Sequence, residues 1–172
     1  MGEIRPTDWE PLAARDPVPG DWEKVKEAAA RYRRTAEAIQ RSARLLGEIS
    51  ADEEGWKGKS GTEFRNRSTD LAQTLIKARG RYDKAANALA AYWPKLKQAQ
   101  EESLQARREA REAESDITEY KAKASASEDK EAADHDKHNH YKEQQSAAEG
   151  RLAAARKKLD QAVRDRNKAA ED

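Results

Sequence analysis

The residues best suited to metal chemistry lie in one short run, Asp134-His135-Asp136-Lys137-His138-Asn139-His140. On a helix Asp134 and His138 face the same way, as do Asp136 and His140, and either pair has a spacing that can hold a divalent cation. A pair on an exposed helix lacks the buried shell of partners that orients the ligands of a dedicated site, so His135, His138 and His140 are expected to hold no resident metal. Little else resembles catalytic machinery. The chain has no cysteine, which removes thiolate chemistry and a disulfide framework and leaves the compartment open. It has no glycine-rich phosphate loop, and a rod two or three helices thick offers no deep pocket in which to perturb a carboxylate. The expectation is a protein that is not an enzyme and uses no cofactor. Recognition chemistry is better represented. In Trp56-Lys57-Gly58 a bulky aromatic can plug the open end of a helical hairpin while the glycine turns the backbone.

The composition requires long helices to position such a tip. Of 172 residues, 39% are charged and 36% hydrophobic, with one Phe and one Met, and the mean hydropathy is -1.20. Ala, Glu, Lys, Arg and Gln dominate, as in coiled coils, and no thick globular core can be filled. Lysines and arginines number 34 against 33 carboxylates, so no basic stripe for nucleic acid is implied. Runs such as Arg107-Arg108-Glu109 and Arg156-Lys157-Lys158 read as solvated faces with intrahelical ion pairs. The N-terminus Met1-Gly2-Glu3-Ile4-Arg5-Pro6 carries no apolar signal-peptide core, and no segment approaches the length that inserts into a membrane.

Three segments emerge along the chain. Residues 1–20, with Pro6, Pro11, Pro17, Pro19, Trp9 and Leu12, form a Pro-rich arm that packs a few apolar groups onto something else. Residues 21–93 read as a helical hairpin. Asp21 is its N-cap, and Val25, Ala28, Tyr32, Thr35, Ile39, Ser42, Leu46 and Ile49 form one helical stripe. After the turn, Ser60-Gly61-Thr62-Glu63 has capping-box spacing. A second stripe then runs through Phe64, Ser68, Leu71, Leu75, Ala78, Tyr82, Ala85, Leu89 and Tyr92 in four-three alternation, which predicts an antiparallel partner for the first helix. Gly80 falls off this stripe and weakens the helix only locally.

Pro94 ordinarily stops a helix, yet the count continues unslipped through Leu96, Ala99, Ser103, Ala106, Ala110, Ala113, Ile117, Tyr120 and Ala124. The phase predicts one kinked helix from about Thr62 to Ala124, roughly 90 Å long at about 1.5 Å per residue. Ser125-Ala126-Ser127-Glu128, with polar Asp129 after it, is expected to reverse the chain as a second capping box. The last helix carries Ala148, Leu152, Ala155, Leu159, Ala162, Arg166 and Ala169, so residues 94–172 read as a second long hairpin. Counted from Ser125, Asp160 comes level with Tyr92, and a junction core of Trp9, Trp22 and Trp93 with Leu159 and Val163 is expected.

Asp8-Trp9-Glu10-Pro11-Leu12, Asp16-Pro17-Val18-Pro19-Gly20-Asp21, Gly55-Trp56-Lys57-Gly58, Phe64-Arg65 and Ala88-Leu89-Ala90-Ala91-Tyr92 together resemble the N-terminal targeting domain of actinobacterial type VII secretion effectors, within the Trp-x-Gly superfamily. The resemblance covers about residues 8–110. It implies an all-α fold, an elongated antiparallel hairpin of the Trp-x-Gly type, here extended by the second coiled-coil hairpin. It also implies that Trp56 and Gly58 are recognition positions. The implied partners are the FtsK/SpoIIIE-like ATPase of the secretion machinery and a small Trp-x-Gly protein or a second copy. By the same resemblance the chain is exported from the cytoplasm without a cleavable signal peptide, and a toxin domain is expected beyond residue 172, where Lys168-Ala169-Ala170-Glu171-Asp172 carries no glycine stop. The Tyr-x-x-x-Asp/Glu signal common in the superfamily is missing: Tyr82, Tyr92, Tyr120 and Tyr141 are followed at that spacing by Ala86, Leu96, Ala124 and Gln145. A non-exported coiled-coil adaptor that holds a partner protein is the rival reading.

Overall fold

A computed structural model describes residues 5–52, 54–128 and 135–171. Three helices account for nearly all of them: α1 (Trp22–Ala51), α2 (Gly58–Glu128) and α3 (His135–Glu171), with no strand among the described residues. The chain divides into two compact units, one formed by Asp21–Trp93 and the other by Met1–Gly20 with Pro94–Asp172.

In the first unit, Asp21 caps α1 as its residue type requires, its carboxylate accepting from the Lys24 amide at 3.0 Å. Antiparallel pairing with the first half of α2 follows from cross-helix contacts whose numbers rise on one side and fall on the other. Trp22 stacks with Trp93 at 5.9 Å between centroids, Tyr32 lies 5.7 Å from Tyr82, and Arg33 donates to Asp83 at 3.2 Å. The residues buried deepest are small: Ala29, Ala36 and Ala43 on α1, and Gly61, Ser68, Ala72 and Ala86 on α2. They sit one position beyond several members of the stripes expected from periodicity. Ser42 is exposed where Ala43 is buried, and Leu71 is exposed where Ala72 is buried. Small side chains let the helix axes approach, so they take the line of closest contact and push the larger neighbours to its edge.

Helix α2 continues through Pro94, as the unbroken phase predicted. In the second unit its seam follows the predicted phase: Leu96, Ala99, Ser103, Ala106, Ala110, Ala113 and Ala124 are buried and Ile117 and Tyr120 half-buried, while on α3 Ala148, Ala155, Leu159 and Ala162 are buried and Leu152, Arg166 and Ala169 half-buried. Two expectations fail. Ser60 and Ser125 both lie inside α2, so neither begins a helix. Thr62 Oγ1 donates back to the Gly58 carbonyl at 3.2 Å, and Ser127 Oγ to that of Ala124 at 2.8 Å, the habit of hydroxyls within a helix rather than at its cap. Asp129 lies outside the described residues. Because α2 runs on to Glu128, the pairing with α3 is displaced: Arg151 bridges Asp116 at 2.7 Å and Lys158 bridges Glu109 at 2.8 Å. Asp160 is therefore about level with Arg107 and not with Tyr92, and Leu159 and Val163 pack along the body of the second unit.

Candidate recognition site at the hairpin tip

The tip is built by three glycines and an aspartate. Asp52 ends α1, its amide donating to the Ile49 carbonyl at 3.3 Å, and its carboxylate accepts from the Gly55 amide at 2.8 Å. Gly58 opens α2 with φ +84°, a left-handed conformation that costs a side-chain-bearing residue about 1–2 kcal/mol. One turn on, Gly61 is buried because the backbone of Trp56 passes over it; a Cβ there would lie 2.5 Å from the Trp56 carbonyl oxygen. Sequence reading placed Gly61 only within a capping box. A buried glycine three positions after a turn glycine is the signal that marks it.

The loop held this way lays the Trp56 ring against Phe64, with centroids 4.5 Å apart and planes tilted by 35°. Both rings remain open to solvent, 42% and 41% exposed respectively. Trp22 and Trp93, by contrast, are half-buried and stacked on each other, with Lys26 Nζ 5.1 Å from the Trp93 ring centre. Trp9 belongs to the second unit, where it is fully buried.

Around Trp9 the arm makes an anchor that periodicity could not reveal. The indole donates to the Pro6 carbonyl at 2.8 Å, and the Leu12 and Ala13 amides both return to the Trp9 carbonyl. Arg5 grips Asp16 with two bonds of 2.6 and 2.7 Å, donates to Ser103 Oγ at 2.9 Å, and lies 4.8 Å from the Trp9 ring centre. The buried Gln100 amide donates to the Val18 and Gly20 carbonyls at 3.1 and 3.0 Å. Arg107 and Arg111 hold the backbone of Asp8 and Glu10. Burial alone pushes the Asp16 carboxyl up, but the Arg5 hydrogen bonds, the Val18 amide and the nearby charges of Arg5 and Arg166 outweigh it and hold the group below its ordinary value. The anchor of Arg5, Asp16, Gln100 and Ser103 was missed, although Ser103 itself falls on the predicted stripe, because the spacing between its partners, up to 98 residues, follows no helical period.

The histidine run is described from His135 onward. Asp134 lies outside the described residues, Asp136 and His140 are exposed, and His138 Nδ1 is turned to the Ala124 carbonyl at 3.0 Å. Among the described residues no group of three or more His, Cys, Asp or Glu side chains converges, and no helix is long and apolar enough to cross a membrane.

The described residues form an all-α protein of paired helices with an open aromatic pair at a glycine-built tip. Residues 13–172 match the model of a family described as "Putative T7SS secretion signal domain", and the chain belongs to that family. Its role is thus targeting to type VII secretion, with export by that route and contact with the secretion machinery. The match extends past residue 110 through α3, so the second hairpin is part of the family's domain and not an appendage of this chain. Neither a search of curated proteins nor one of solved structures found a match.

Proposed function

We propose that the chain is the targeting and assembly module of a type VII secretion effector and that it works by binding, without catalysis by these residues. The carrying observation is the Trp56–Phe64 pair, two large rings in contact at the hairpin tip and each about two-fifths open to solvent. Aromatic groups that a soluble protein leaves clustered and exposed are ready anchors for a partner. In this reading the FtsK/SpoIIIE-like ATPase reads the hairpin after it has paired with a small Trp-x-Gly helical protein or with itself. A toxin or other effector domain follows the module in the whole protein, which leaves the cytoplasm without a cleavable signal peptide. The absence of a Tyr-x-x-x-Asp/Glu signal fits an export signal completed by the partner.

Export of the tagged chain from cells that carry the secretion system tests the reading. Trp56→Ala is expected to abolish export while leaving helicity unchanged, because the ring is largely outside the packed seam. Export of Trp56→Ala and Gly58→Ala at the parental level sinks the role of the motif. A parent chain that stays in the cytoplasm supports the adaptor instead.

A further inference from the structure

At the mouth of the second hairpin the two helices are buried unequally. The bridges Arg151–Asp116 and Lys158–Glu109 set a register that brings residues 96–103 of α2 level with 164–171 of α3. On α2 Leu96, Ala99, Gln100 and Ser103 are buried at this level, whereas none of residues 164–171 is, and Arg166 and Ala169 are only half-buried. Among the described residues the last buried one on α3 is Ala162. Beyond it the helices border an open hollow, with Gln98, Ala99 and Glu102 on one side and Asp165 and Ala169 on the other. Tight packing of helix on helix therefore runs out about two and a half turns before α3 ends at Glu171.

The arm covers α2 at this level. The Gln100 amide donates to the Val18 and Gly20 carbonyls, and Ser103 Oγ accepts from Arg5. Gly20 passes so close to Leu96 that a Cβ on it would lie 3.2 Å from Leu96 Cδ2. Trp9 and Val18 are buried in turn. The arm also reaches α3, where Arg166 donates to the Pro17 carbonyl at 3.4 Å and has its Nε shut off from solvent. Arg166 continues the stripe of Ala155, Leu159 and Ala162, but its long side chain meets the arm where the alanines meet α2.

We infer that the arm is a strap that fastens the end of α3 to α2, so that the last turns of α3 stay paired only while residues 5–20 are docked. A helix end held through a third element opens when that element leaves, because too few apolar groups of its own remain buried to hold it. The strap couples the N-terminal arm to the end of α3: displacing the arm frees α3, and drawing α3 away removes the Arg166 bond from the arm. The coupling is independent of what binds the hairpin tip.

Amide exchange of the purified full chain, read by mass spectrometry over residues 5–20, 148–159 and 163–169, tests the strap. In the parent all three segments are expected to be protected. Trp9→Ala with Val18→Ala removes the two buried anchors of the arm without altering a helix. Exchange over 163–169 should then rise at least about tenfold, while 148–159, closed by its own seam, stays within about twofold of the parent. Arg166→Gln leaves the α2 contacts of the arm in place and cuts its hold on α3, so 163–169 should speed up while 5–20 stays protected. An arm that exchanges freely beside 163–169 at the parental rate overturns the inference. Fast exchange of 163–169 in the parent, or an unchanged rate there in Arg166→Gln, overturns it equally. Should the double variant loosen 148–159 as well, Arg166→Gln decides by the same outcomes.

Discussion

One substitution made at two glycines of α2 should move stability in opposite directions. Gly80→Ala adds a methyl group in open space, since nothing lies within 4 Å of its Cβ position, and a helix interior favours Ala over Gly by about 0.5–1 kcal/mol. The first hairpin should become more stable by that amount. At Gly61 the same methyl would meet the Trp56 carbonyl oxygen at 2.5 Å and its carbon at 2.6 Å. Those atoms are backbone and cannot swing aside as the end of a side chain does, so the tip must shift. Overpacking of this kind costs about 1–3 kcal/mol, and Gly61 sits in the first turn, where helix propensity returns less than the interior figure. The net expectation is a loss of about 1–2 kcal/mol, with the Trp56–Phe64 contact loosened. Urea unfolding followed by circular dichroism reads the sign on the whole chain. Amide exchange across residues 54–66 reads whether the loss is confined to the tip. Stabilisation by Gly61→Ala equal to that by Gly80→Ala would refute the close passage of the Trp56 backbone and the account of how the tip is built.

Three further outcomes follow from other parts of the molecule. Gly58→Ala meets no atom within 4 Å but must adopt φ +84°, so it should cost about 1–2 kcal/mol through backbone strain; Gly58→Asn, which tolerates that conformation, should lose less in the same urea titration. Asp16 has a folded-state affinity for protons lowered by Arg5 against the opposing effect of burial, so it contributes stability that is present above the ordinary carboxylate value of 3.8 and is lost as pH falls through the lowered one. Fluorescence of Trp9, read in a chain whose other tryptophans are replaced by Phe, should report release of the arm at acid pH, and Asp16→Asn should remove that transition. Ala106→Leu inserts three carbons at a fully buried seam position and should destabilise by about 1–3 kcal/mol, seen as a lowered thermal midpoint.

The α2 seam of the second hairpin was legible in the sequence, because its apolar residues are few and isolated among charges: Ala110 or Ala113 has no apolar neighbour at the wrong phase to compete with it. The first hairpin was harder. Ala28-Ala29, Thr35-Ala36, Ser42-Ala43 and Leu71-Ala72 each offer two adjacent candidates, and a stripe at least about 100° wide accepts both. Periodicity therefore located the apolar arc of each helix without separating its centre from its edge. The serine–glutamate spacing at Ser60 and Ser125 misled for a related reason. It marks a favourable helix start but carries no information on whether a helix is already under way.

Sequence alone determined the all-helical class, the N-cap at Asp21, the continuity of α2 through Pro94 and the membership suggested by Trp56 and Gly58, since each depends on local propensity or on phase along one helix. Tertiary structure decided what depends on two segments meeting. Only it showed that Gly61 must be bare beneath Trp56, that Arg5 and Asp16 fasten the arm to Gln100 and Ser103, and that Lys158 faces Glu109. It also decided that the conspicuous Phe64, Leu71 and Tyr82 stay exposed while the alanines close the hairpin. The physical reason is distance of approach: the smallest side chains let two helices come nearest, and the choice of which small residues do so is made by the pair of helices together.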